Sequence, residues 1–99
     1  MSRRKGERPV TVHLDTWSSN HPVYRTIRDG DHWFDAWMMQ KSTSIASLSQ
    51  LTGIPGSRLF SMPSTSRVSM AEVDALARAW VISSSDLIAS IGDQTVIIE

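Results

Sequence analysis

Ninety-nine residues make one small domain, because independently folding units run to ~100–150 residues and so short a chain leaves no room for a second catalytic module. Forty per cent of the residues are hydrophobic and ten bases cancel ten acids, a globular balance that excludes intrinsic disorder and, on net charge alone, argues against a strong nonspecific polyanion binder. Cysteine is absent, which excludes disulfides, zinc–thiolate sites and thiol catalysis, and no uncharged apolar run approaches the ~18–20 residues that span a bilayer, so a cytoplasmic protein without a membrane partner is the expectation.

The chain opens on a basic arm, residues 1–9, in which Arg3, Arg4, Lys5 and Arg8 face a single acid, Glu7. Val10, Val12 and Leu14 alternate with Thr11 and His13, the period of a half-buried strand, and a polar loop, Asp15–Pro22, follows. From Val23 the apolar positions take helical spacing through Ile27, Trp33, Phe34, Trp37 and Met38. Gly30 costs a helix interior about 1 kcal/mol relative to Ala, so a break is expected at Asp29–Asp31, with Asp29 or Asp31 capping a helix that runs to about Gln40.

Ser44 is placed to cap the next helix, with Ile45, Leu48 and Leu51 inward, and Gly53 to end it in the left-handed conformation that L-residues resist. Ile54-Pro55 restarts a short helix, Gly56–Met62, which Pro63 stops. Ser69-Met70-Ala71-Glu72 is a capping box, with Val68 as a staple for Val73, and Met70, Val73, Leu76, Ala77 and Trp80 form one stripe. Ser83–Asp86 repeats the arrangement ahead of Leu87, Ile88 and Ile91. Gly92-Asp93 turns the chain into Thr95–Ile98, a β-branched run expected to be a strand covered on both faces.

The charges are unevenly placed. Residues 36–71 contain Lys41, Arg58 and Arg67 and no acid, while outside this window and the first eight residues three bases meet nine acids. Hydroxyl residues crowd the acid-free window, a composition suited to nucleic-acid backbone contacts and equally to helix caps and turns.

Residues 44–88 resemble the helix-turn-helix domains of the phage Cro and lambda-repressor type, the XRE family. The resemblance is carried by the run Ser44-Ile45-Ala46-Ser47-Leu48-Ser49-Gln50-Leu51-Thr52-Gly53-Ile54-Pro55-Gly56-Ser57-Arg58-Leu59 and continues through Met62, Val73, Leu76-Ala77, Trp80 and Ser83 to Leu87. It implies a mainly α fold, a five-helix lambda-repressor-like domain over 31–92. An N-terminal strand and extension over 10–30 precede it, and a short C-terminal strand over 93–99 follows.

It further implies a repressor-like regulator of transcription that binds double-stranded DNA by sequence, with the helix at about 56–62 in the major groove. Gly56, Ser57, Arg58 and Ser61 would then face the groove, Arg58 reading guanine through its fork. Ser44, at the start of the preceding helix, would receive a phosphate. Lys41, Arg67, Arg3, Arg4 and Lys5 are expected to hold phosphates without reading sequence. Gly56 stands where many relatives have a Gln that reads adenine. The alternative is a protein-interaction module of the same fold, an antitoxin or antiactivator, favoured by zero net charge, by Gly56 and by the acidic 72–99 segment.

Phe60 falls on the outer face of its helix; packing under the N-terminal segment is favoured over contact with a thymine methyl. No cofactor, metal or enzymatic role is expected: His13, His21 and His32 lack ligand spacing and are assigned to the surface, with neighbouring aspartates as caps, and no Gly-x-Ser-x-Gly elbow or phosphate loop accompanies the serines. Trp33, Trp37 and Trp80 lie on apolar stripes and belong in the core; Trp17 is undetermined. A homodimer is expected, because one short recognition helix spans few base pairs. The C-terminal strand takes part in it, and Val10–Leu14 pairs with that strand within the chain or in the partner.

Overall fold

The computed structural model describes residues 14–99. The arm and its Arg3, Arg4 and Lys5, and the predicted strand up to His13, lie outside the described residues. Leu14 is exposed, and the chain first engages the fold at Asp15, which makes a parallel bridge with Ile82 and donates its backbone N–H to the Val81 carbonyl at 2.8 Å.

Helix α1, Pro22–Arg28, occupies the end of the expected extension. Its cap is His21, whose Nδ1 accepts the Val23 N–H at 3.1 Å. The predicted break follows, with Gly30 at φ 115°, where an L-residue would be strained. Helix α2, Trp33–Gln40, is capped by His32 rather than by Asp29 or Asp31. The His32 imidazole accepts the Phe34 N–H at 3.1 Å from an extended backbone, whereas Asp29 lies at the C-terminal end of α1. Both caps use an imidazole nitrogen in the role usually filled by a Ser or Asp oxygen.

Helix α3, Ile45–Thr52, begins at Ser44, whose hydroxyl accepts the Ser47 N–H, and ends at Gly53 with φ 78°. Leu48 is buried and Ile45 half-buried, but Leu51 is 66% exposed; three residues beyond Leu48 on an eight-residue helix, it rotates past the edge of the core stripe. Helix α4, Gly56–Ser61, is one residue shorter than expected, because Met62–Ser64 tightens into a 3₁₀ turn that accommodates Pro63.

Strand β1, Arg67–Ser69, leads directly into α5, Met70–Trp80, across a complete capping box between Ser69 and Glu72. Helix α6, Ser84–Ile91, is capped by Ser83. Strand β2, Val96–Ile98, pairs in parallel with β1, Arg67 beside Val96 and Ser69 beside Ile98. Among the described residues the partner of the terminal strand is β1, and the crossover that a parallel pair requires is α5 with α6; the expected pairing with Val10–Leu14 lies almost wholly outside the described residues. Nor is the strand covered on both faces: Val96 and Ile98 are exposed while Ile97 packs against the core.

Among the described residues the chain is mainly α-helical with one two-stranded sheet. Its core joins Trp33, Phe34 and Trp37 of α2 to Leu48, Leu59, Met62 and Val68, and to Val73, Leu76, Trp80, Leu87 and Ile91 of the last two helices. Trp37 stacks on Trp80 with ring centroids 6.0 Å apart. The Trp37 indole donates to Ser90 Oγ and the Trp33 indole to Thr95 Oγ1, each at 2.9 Å, so both bury a large ring without orphaning its N–H.

Candidate nucleic-acid interface

Hydroxyl groups hold the turn between α3 and α4. Ser49 donates to the Ile54 carbonyl at 2.7 Å, Thr52 donates to the Leu48 carbonyl at 2.7 Å, and the Thr52 hydroxyl accepts the Ile54 N–H at 3.1 Å. Ser49 and Thr52, two of the hydroxyl residues of the acid-free window, thus serve the turn itself. Leu59 and Met62, both fully buried, fix the rotation of α4 about its axis. Ser57, Phe60 and Ser61 consequently face out, all three exposed, with Gly56 half-buried at the start of the helix.

Phe60 is 79% exposed; the rotation imposed by its neighbour Leu59 turns it outward, and it does not pack under the described part of the N-terminal segment, residues 14–30, as expected. Ser61 donates to the Arg58 carbonyl at 2.9 Å, and Ser57 makes no side-chain hydrogen bond among the described residues. Ser44 is occupied as the cap of α3 and donates to Ser47 Oγ at 3.0 Å.

Arg58 points elsewhere than into the outward set. Its Nε donates to Glu72 Oε2 at 2.7 Å and its Nη2 to Glu72 Oε1 at 2.9 Å, with a further bond from Nη2 to the Arg67 carbonyl at 3.0 Å. Glu72 Oε1 also accepts the Ser69 N–H at 2.9 Å. One carboxylate therefore closes the cap of α5 and ties down α4. The Arg58 hydrogen bond holds the Glu72 carboxyl down to about 2 against the opposing effect of burial, and Glu72 in turn raises the pKa of Arg58. Reading a base through this fork requires breaking a bidentate pair.

Lys41 is also engaged: its Nζ lies 2.9 Å from Asp15 Oδ2 and 5.7 Å from the centre of the Trp37 ring. The same Asp15 oxygen accepts from His21 Nε2 at 2.8 Å. Burial pushes the Asp15 carboxyl up, but the hydrogen bonds from His21 and Lys41 outweigh it and hold the pKa below the usual carboxylate value. His21, expected at the surface, is buried, and Trp17 packs near it, with the Trp17 ring 5.4 Å from His21 and 5.9 Å from Trp37. Arg67 is exposed and makes no ion pair among the described residues.

Three of the expected contact residues, Gly56, Ser57 and Ser61, thus lie together on α4, while Arg58 and Lys41 are drawn into ion pairs. The exposure of Phe60 runs against the packing favoured from sequence, and the pairing of Glu72 with Arg58 is not found by sequence reasoning. A capping-box acid fourteen positions after an arginine carries the only signal for the second, and that signal does not distinguish a local cap from a long-range pair. No family description, curated protein or solved structure matches this chain.

Proposed function

We propose that this chain is a sequence-specific double-stranded DNA-binding regulator of transcription, acting by occupying a site rather than by chemistry, with α4 as the element that enters the major groove. The observation that carries the reading is the outward face of α4: it follows a glycine turn from α3, is fixed by Leu59 and Met62, and exposes Ser57, Phe60 and Ser61 within a window free of carboxylates. A short helix whose outward face carries no carboxylate of its own, with the adjoining Glu72 paired to Arg58, suits insertion between two DNA backbones. Arg67 and the arm residues Arg3, Arg4 and Lys5 supply phosphate contacts in this reading; Lys41 and Arg58 contribute only where phosphate displaces their carboxylate partners.

The test is fluorescence anisotropy on duplexes selected from a random pool, in low and in physiological salt. Saturable binding that resists nonspecific competitor is expected, and deletion of residues 1–8 should weaken all duplexes alike, lowering the salt slope by roughly one unit for each phosphate no longer neutralised. Binding that disappears at physiological salt for every duplex would refute the reading.

Two specific observations favour a protein-interaction module instead. The side chain best suited to base reading is paired with Glu72, and residues 14–99 hold six bases against nine acids. Under that reading the same titration shows no duplex preference.

We further propose a homodimer. Strand β2 has one β-partner among the described residues and exposes Val96 and Ile98, an arrangement that invites pairing across a two-fold axis. Light scattering checks it: a monomer at tens of micromolar, or unchanged dimerisation of a chain ending at Asp93, would exclude this use of the strand.

A further inference from the structure

We propose that Phe60 contacts the C5-methyl group of thymine in duplex DNA, and that this apolar contact, in place of an arginine fork, supplies the sequence preference of α4; the inference rests on the DNA-binding reading above.

Phe60 is the most exposed large hydrophobic side chain among the described residues, at 79%. Nothing in the packing requires that exposure to be apolar, since a polar residue would satisfy the same outward position and a solvated Phe forgoes the gain of burying its ring. The ring sits between Ser57, three positions before it, and Ser61, next to it, so the face presents one aromatic flanked by two small hydroxyls. No charged fork accompanies them. Arg58, the only cation on α4, is held away from this face by both Glu72 oxygens and the Arg67 carbonyl.

This combination selects its ligand by chemistry. Among the base edges of the major groove the one apolar group is the thymine methyl, which apolar side chains such as Phe contact, and Ser hydroxyls pair with donors or acceptors of either strand. A protein partner is the poorer match. A specific protein interface buries ~1,200–2,000 Å² around a cluster of apolar anchors, whereas α4 offers a single ring among hydroxyls. Residues 36–71 contain no acid, and the carboxylate that adjoins α4, Glu72, is already paired with Arg58.

The experiment begins with the duplexes that the full chain recovers from a random pool. Each thymine of the recovered site is then replaced by deoxyuridine, which removes the methyl group and leaves every hydrogen-bonding atom of the base. The wild-type chain is expected to bind about three- to tenfold more weakly when one or two particular thymines are replaced, the scale of removing one buried methyl group. Phe60→Ala should bind the thymine and uracil duplexes alike, and Phe60→Leu should retain part of the difference. Because the ring is exposed, neither substitution opens the core, and unchanged circular dichroism verifies this.

Recovered sites without thymine, wild-type affinity indifferent to every exchange, or a Phe60→Ala chain that keeps the discrimination would each overturn the inference while leaving DNA binding intact. Failure of the wild type to bind any duplex saturably would overturn the DNA reading and this inference with it. Self-association of the wild type that Phe60→Ala abolishes would assign the ring to a second copy and equally overturn it.

Discussion

Arg58 and Glu72 form a two-point ion pair, with donor–acceptor distances of 2.7 and 2.9 Å, that fastens α4 to the first turn of α5. Because Glu72 also accepts from the Ser69 backbone, the contact joins a local cap to a tertiary one. It fixes where α4 sits, and therefore which side chains α4 presents.

The pair makes stability depend on acid. Glu72 has its carboxyl pKa lowered from 4.5 to about 2 in the folded chain, so its contribution is present above the unfolded value and is lost as pH falls through the folded one. Glu72→Gln should lower unfolding stability by on the order of 1–3 kcal/mol at neutral pH. Urea titrations followed by tryptophan fluorescence should show the gap between wild type and variant closing between pH 4.5 and about 2. A gap that stays constant across that window would exclude the pairing as its source.

Two glycines in the turn region should respond oppositely to alanine. Gly53 has φ 78°, where a Cβ is strained even in open space, so Gly53→Ala should lose about 1–2 kcal/mol. Gly56 is helical, and an added Cβ would meet only Ile45 Cγ2 at 3.7 Å, an ordinary contact. Gly56→Ala should accordingly gain about 0.4–1 kcal/mol, largely by restricting the unfolded chain. Thermal melts of the two variants test the pair of signs.

The core tryptophans differ in what their indole N–H groups do. Trp37 donates to Ser90, whereas Trp80 Nε1 is buried with no hydrogen-bond partner among the described residues. Replacement by Phe removes a made hydrogen bond in one case and an orphaned donor in the other, for a similar decrease in volume. Trp37→Phe should therefore be more destabilising than Trp80→Phe by about 1–2 kcal/mol in denaturant unfolding; equal losses would contradict the hydrogen-bond assignment.

His21 holds two elements at once, accepting the Val23 N–H through Nδ1 and meeting Asp15 through Nε2. His21→Ala should cost about 1–2 kcal/mol, the range for removing a helix cap. His21→Asn should recover part of this, because an Asn oxygen can cap α1 although it does not reproduce the aromatic contact with Trp17. Amide hydrogen exchange at Tyr24–Ile27 is the local readout: protection unchanged by His21→Ala would show that α1 does not depend on this cap.

Most elements are legible in the chain because their signals are local. Ser44, Gly53, the Ser69–Glu72 box and Ser83 mark helix ends through contacts spanning a few residues, and Trp33, Trp37 and Trp80 fall on stripes whose period is intrinsic to a helix. The caps of α1 and α2 escape a sequence reading because an imidazole seldom plays that part. The candidate site is less legible. Ser57 and Ser61 face outward as their spacing requires, but the fates of Arg58, Lys41 and Phe60 depend on neighbours distant in sequence.

Composition, periodicity and capping residues by themselves determined a small, mainly helical domain with a glycine turn between two short helices, since each of those features is settled within a few residues by backbone sterics and hydrogen bonding. Only the tertiary structure decided that β2 lies parallel to β1, that Asp15 draws in both His21 and Lys41, and that Glu72 takes the Arg58 fork away from the outward face of α4. A charged side chain's partner is chosen by which elements pack together, and an exposed ring such as Phe60 is identified by what fails to cover it; neither quantity exists until the helices are in place.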